Sequence, residues 1–157
     1  MNLETLSNIF GIIESLAVLG SLYFILKQIK DNTAAVKGAT YQSIVATYVD
    51  FEAKFIENPE ISRLYSLAYT TPDDLSQEDK AKIIRLMSGY FNLYENLFYQ
   101  YKNGLLEPEL WAGWSKGLMV DLYAQPGLIF WWKRTSKYYS KEFREHIEKG
   151  SLPRKND

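Results

Sequence analysis

Residues 9–26 read IFGIIESLAVLGSLYFIL, eighteen positions with one formal charge, Glu14. At about 1.5 Å per residue such a helix spans roughly 27 Å, close to the ~30 Å of bilayer hydrocarbon. Beyond it the apolar positions keep helical spacing and no strand-like alternation stands out. Val36, Ile44, Val45, Tyr48, Phe51 and Phe55 continue the pattern with no proline before Pro59, so the apolar helix is predicted to continue directly as a long helix beyond the apolar run. Asn58-Pro59 ends it and opens a short helix through Tyr69. Thr71-Pro72-Asp73-Asp74 reads as a loop. Ser76 caps the next helix, whose apolar positions are Ile83, Met87, Tyr90, Phe91, Tyr94, Phe98 and Tyr101. Gly104 suits a left-handed residue past its end, and Pro108 the first turn of the following helix. That helix carries Leu110, Trp111, Trp114, Leu118 and Leu122. Gln125-Pro126-Gly127 breaks it, residues 128–138 form another, and Ser140 caps a last helix ending near Gly150.

The predicted fold is all-α: an N-terminal single-pass transmembrane helix (1–30) continuing into a small cytoplasmic helical bundle (31–150), with a frayed tail (151–157). Lys27, Lys30 and Lys37 follow the apolar run, and positive charge marks the cytoplasmic flank. This orientation puts the N-terminus outside and the bulk of the chain in the cytoplasm. A signal peptide fits less well, because the N-terminal flank lacks a basic residue and no small-x-small cleavage site precedes the polar stretch. The other alternative is a soluble bundle with this helix in its core. Glu14 speaks for that alternative, since an acid at the bilayer centre costs about 2.5–3.5 kcal/mol, against about 0.3–0.6 gained per large apolar residue.

Steps of four and three from Ser7 trace a seam along the helix: Ser7, Gly11, Glu14, Val18, Ser21, Ile25 and Gln28. It is small or polar at most positions, and membrane helices associate through such residues. The seam therefore predicts a homo-oligomer, with Glu14 protonated, hydrogen-bonded or facing water. The plainer reading is one carboxylate tolerated in lipid.

Composition narrows the chemistry. The 157 residues hold no cysteine and one histidine, so disulfides, thiol chemistry and multi-histidine metal centres drop out. A net charge of −1 gives no sign of a nucleic-acid partner. No phosphate-binding glycine loop is present; Gly113 and Gly117, four apart on a helix, allow close packing. No cofactor, metal or catalytic constellation is predicted. His146, between Glu145 and Ile147, reads as a surface residue. The basic C-terminal third, with Trp131 and Trp132, suits either an anionic leaflet or a solvated face of Glu–Lys pairs. Glu95 shares a helix face with Phe91 and Phe98, which predicts a buried carboxylate in need of a partner. Arg134, Lys116 and Arg85 are candidates, and spacing does not choose. Glu95 thus belongs either to a structural salt bridge in an aromatic core or to a pocket with Tyr94, Tyr99, Trp114, Trp131 and Arg134.

Three segments carry a resemblance to a known family: IIESLAVLGSLYFILKQIKDNT, YENLFYQYKNGLLEPELWAGW and PGLIFWWKRTSKYYSKEFREHI. Together they resemble a large family of small bacterial proteins without assigned activity, with one N-terminal membrane helix and an aromatic-rich helical cytoplasmic domain. The resemblance spans nearly the whole chain. It rests on Glu14, on Gln28, Ile29, Asn32 and Thr33, on Glu95 and Asn96, and on Gly104, Leu105 and Leu106. It continues through Trp111, Trp114, Trp131 and Trp132 to Ser140, Glu142 and Phe143. It implies a bacterial source and a membrane anchor, and no mechanism. The expected role is a non-enzymatic, self-associating adaptor or scaffold at the membrane with an unidentified protein partner. The alternatives are a ligand-gated effector or pore whose bundle senses a small molecule, and an enzyme using Glu95 and a tyrosine.

Overall fold

The computed structural model describes residues 2–151, the side chains of Thr5, Leu6, Tyr123, Pro126 and Ser151 apart. The predicted tail from residue 152 on lies outside the described residues. The fold is all-α, and the described residues form six helices: α1 (Leu3–Glu57), α2 (Pro59–Thr70), α3 (Gln77–Lys102), α4 (Pro108–Ala124), α5 (Pro126–Thr135) and α6 (Lys141–Ser151). Short 3-10 turns at Pro72–Asp74 and Ser136–Tyr138 replace the predicted loop and the end of the predicted fifth helix.

The chain divides into two compact units, Met1–Ala39 and Thr40–Asp157. Val36 is 42 % exposed, and among the described residues the first buried one of α1 is Ile44. The first unit is helical from Leu3 on. It contains an 18-residue window of mean hydropathy 2.1, none of it buried. Within it the hydroxyls of Ser15 and Ser21 donate to the carbonyls of Gly11 and Ala17, at 2.8 and 2.9 Å. Such back-bonding hides polar atoms inside the helix's own backbone.

The second unit is built around α3. Ile83, Met87, Tyr90, Phe91, Tyr94 and Phe98 are buried as their spacing predicts, and so are Leu93 and Leu97 off that stripe. A central helix has neighbours on more than one side: α2, α4 and α5 all pack against α3. Residues 44–55 of α1 add Ile44 and Phe51 to the core, and α6 adds Phe143 and Ile147. Each such large apolar side chain contributes about 1.5–3 kcal/mol on burial.

The helix ends follow from local chemistry. The Asn58 side chain accepts from the N–H groups of Glu60 and Ile61, and Ser76 accepts from Asp79. Gly104 takes φ +70°, and the Leu105 and Leu106 N–H groups close on the Gln100 carbonyl at 2.9 and 3.1 Å. This left-handed stop turns Leu106 back into the core. At the α2 end, Ala68 would need an N–H from position 72, which is a proline. The Trp131 indole N–H donates to that carbonyl instead, at 3.1 Å. Gly127 makes the approach feasible, because a Cβ there would stand 1.9 Å from the same carbonyl oxygen.

Candidate functional site

The seam residues Ser7, Gly11, Glu14, Val18, Ser21, Ile25 and Gln28 all lie on α1 within the first unit, and all are exposed. Gly11 and Gly20 have nothing within 4 Å of a Cβ position. Glu14 is the one charged side chain of the 9–26 run. With Ser15 and Ser21 bonded to backbone, it is the strongest hydrogen-bonding group this surface presents.

The six candidate pocket residues do not form one site. Glu95 is half-buried on α3, and its Oε1 accepts the Ser140 backbone N–H at 2.6 Å. The partner is therefore the start of α6 rather than a base such as Arg134, Lys116 or Arg85. A carboxylate there meets unpaired N–H groups and the positive end of the helix dipole. The Ser140 hydroxyl completes the cap by accepting from Phe143 N–H at 3.4 Å. Tyr99, exposed, lines the same surface hollow of about 610 Å³ together with Asn92, Asn96 and Lys102. Trp131 is a core residue bonded to Ala68. Arg134 is exposed, with its guanidinium 3.4 Å from the centre of the Phe130 ring. Tyr94 and Trp114 face elsewhere, against α1 and α4.

That second locale is a buried tyrosine network that spacing did not reveal. Its members come from four helices, so no window of sequence contains them. The Tyr65 and Tyr69 hydroxyls hydrogen-bond to one another. The Tyr90 hydroxyl donates to Asp121 Oδ2 at 2.9 Å, and Tyr69 and Tyr94 both interact with it. Tyr48 reaches Glu52. Burial, ahead of the neighbouring charges, raises the pKa values of Tyr65, Tyr69 and Tyr90 far above the ordinary tyrosine value. Burial likewise pushes Tyr94 up to about 12. These hydroxyls therefore stay protonated and serve as donors inside an apolar setting.

His146 is not the surface residue its sequence position suggested. It lies one turn beyond the buried Phe143, on the same face of α6. Its ring stacks on Phe98 at 5.2 Å, lies 5.2 Å from Trp111, and its Nε2 is 3.1 Å from Ser115 Oγ. Burial lowers its pKa from 6.5. Trp131 and Trp132 are likewise buried and so unavailable to a leaflet. Helix α6, whose three bases are matched in number by three acids, pairs Lys141 and Lys149 with Glu145, each at 3.8 Å. Among the described residues no three of His, Asp and Glu gather to hold a metal ion. Comparison with protein-family models, with curated proteins and with solved structures finds no match.

Proposed function

We propose that this chain is a single-pass protein of a bacterial inner membrane, its N-terminus outside and its aromatic helical domain in the cytoplasm, acting as a self-associating adaptor or scaffold. The observation that carries this reading is an apolar window of mean hydropathy 2.1 with no buried residue, beside a unit that has a core of its own. Leaving Ile12, Leu16, Leu19 and Phe24 each 50 % or more exposed to water would be costly. Lipid removes that cost. Lys27, Lys30 and Lys37 set the orientation. The Glu14 seam supplies the self-association surface, since helices in lipid pair through small and polar groups.

The test uses the absence of native cysteine. Single cysteines placed at Asn2 and at Lys149 are labelled in intact cells by a membrane-impermeant maleimide, and the membranes are then washed with carbonate. Retention in the washed membrane with labelling at position 2 alone supports the reading. Release by carbonate, or equal labelling at both positions, removes it. A detergent-extracted complex of monomeric mass would remove the self-association part.

A further inference from the structure

We propose that the cleft between α4 and the 41–48 stretch of α1 receives a small alkylammonium group. The cleft lies wholly within the second unit, so the inference stands apart from the membrane reading. Its walls are the rings of Tyr41, Tyr48, Tyr94 and Trp114, and its volume is about 510 Å³. The Tyr48 ring meets Trp114 edge-on at 5.0 Å, and Tyr94 meets it at 6.4 Å. Glu109 and Asp121 also line it, and no lining residue is basic. Gly113 and Gly117 form the α4 side, and a Cβ at either would meet nothing within 4 Å. The two glycines were expected to permit close packing, yet among the described residues nothing comes within 4 Å of a Cβ at either, and they leave the cleft open.

The lining selects the ligand class. Aromatic faces carry negative electrostatic potential and attract cations within about 6 Å. Glu109 and Asp121 stand about 18 Å apart along α4, so they flank the cleft and together give it a field that attracts cations and repels anions. A neutral apolar guest would gain the rings but strip water from the carboxylates without replacing it. A hard metal ion asks for about six oxygen ligands, and two carboxylates among rings do not supply them. An alkylated ammonium satisfies both features: its methyl or methylene groups pack on rings, and its charge lies in the field of the flanking acids. Asp121 also accepts the Tyr90 hydroxyl at 2.9 Å, which fixes one carboxylate at the cleft and ties it to the buried network.

The experiment uses the full chain in phosphatidylglycerol nanodiscs, with the indole N–H resonances read by NMR and Trp114 assigned by W114F. Choline is titrated against its neutral carbon isostere, dimethylbutanol. The expected result is a saturable shift of the Trp114 resonance with choline at millimolar concentration or below, and none with the isostere. E109Q weakens choline binding several-fold. G117L, which fills the cleft from an open position, abolishes binding while the melting temperature holds or rises. A source arm replaces the lipid with phosphatidylcholine and omits choline: a Trp114 shift there assigns the ammonium to a lipid headgroup, and its absence to a soluble amine. Equal shifts with choline and isostere, no saturable shift, or wild-type binding by a folded G117L would each overturn the proposal.

Discussion

The substitution Gly127→Ala tests the packing of α5 on α2 most directly. Gly127 has an ordinary backbone, so the glycine serves proximity rather than a left-handed turn. An added Cβ would lie 1.9 Å from the Ala68 carbonyl oxygen and 2.5 Å from that of Tyr69. Both are backbone atoms, so no side chain can swing away. The helices must separate by about 1 Å or more, an overpacking penalty of about 1–3 kcal/mol. That separation stretches the 3.1 Å bond from the Trp131 indole to Ala68 beyond hydrogen-bonding range. Pro72 offers no N–H to replace it, so a buried carbonyl and a buried indole both lose their partner, at about 1–3 kcal/mol. The combined cost is about 2–6 kcal/mol. At about 4 °C per kcal/mol for a unit of this size, the melting temperature falls by about 8–24 °C. Thermal unfolding in detergent, followed by near-ultraviolet circular dichroism, measures it. Gly113→Ala is the control, since its Cβ meets nothing within 4 Å. It should be neutral or stabilising by up to about 1 kcal/mol, through helix propensity alone. A G127A variant melting within 2–3 °C (about 0.5 kcal/mol) of the parent would refute the argument that α5 docks by backbone proximity.

Other predictions follow from the same geometry. Tyr65, Tyr69, Tyr90 and Tyr94 have raised pKa values in the fold, so the unfolded chain releases protons first as pH rises through about 10. Urea stability should then be fully present below pH 10 and fall above it, by up to about 1.4 kcal/mol per pH unit for each tyrosine; Y69F should flatten the slope, and an unchanged slope would contradict the network. His146 has a lowered pKa in the fold, so its contribution is present above about 6.5 and is lost as pH falls below that value. H146Q should remove that component from melts taken between about pH 7 and pH 5. Glu95→Gln keeps an acceptor for the Ser140 N–H but removes the charge at the start of α6, costing about 0.3–1 kcal/mol, whereas Glu95→Leu loses both and should cost more in denaturant titrations.

The helices were legible because their signals are local. Asn58, Ser76, Gly104, Pro108 and Ser140 each act within a few residues, and each stops or caps a helix in the structure as its chemistry requires. The core stripe of α3 was legible for the same reason, although Leu93 and Leu97 show that periodicity marks one face and not how many neighbours a helix has. Partners were not legible. Glu95 looked like half of a salt bridge because sequence lists charged side chains and not free backbone N–H groups. The Trp131–Ala68 bond depends on three facts far apart in the chain: a proline at 72, a glycine at 127 and an indole at 131. His146 looked exposed because its helix is short and charged, yet its spacing from Phe143 was there to be read.

Polarity inside this protein is satisfied by arrangement rather than by opposite charge. Ser15 and Ser21 return their hydroxyls to the helix backbone. Trp131 replaces the N–H that Pro72 lacks, and Thr135 closes on the Trp131 carbonyl at 2.9 Å. Glu95 is held by a helix terminus, and the buried tyrosines chain their hydroxyls toward Asp121. Such neutral donors avoid the desolvation cost of burying ion pairs. Against that background two acidic features stand out. Glu14 stays exposed on an apolar helix, and Glu109 and Asp121 line an aromatic cleft that has no basic residue in its lining. Asp121 already accepts the Tyr90 hydroxyl, so Glu14 and Glu109 are the carboxylates to which the two proposals bring a partner from outside the chain. A second copy meets Glu14 in the proposed oligomer, and a cation meets the cleft. Glu14→Leu and Gly117→Leu separate the two: the first should dissolve the oligomer and leave choline binding intact, and the second should do the reverse.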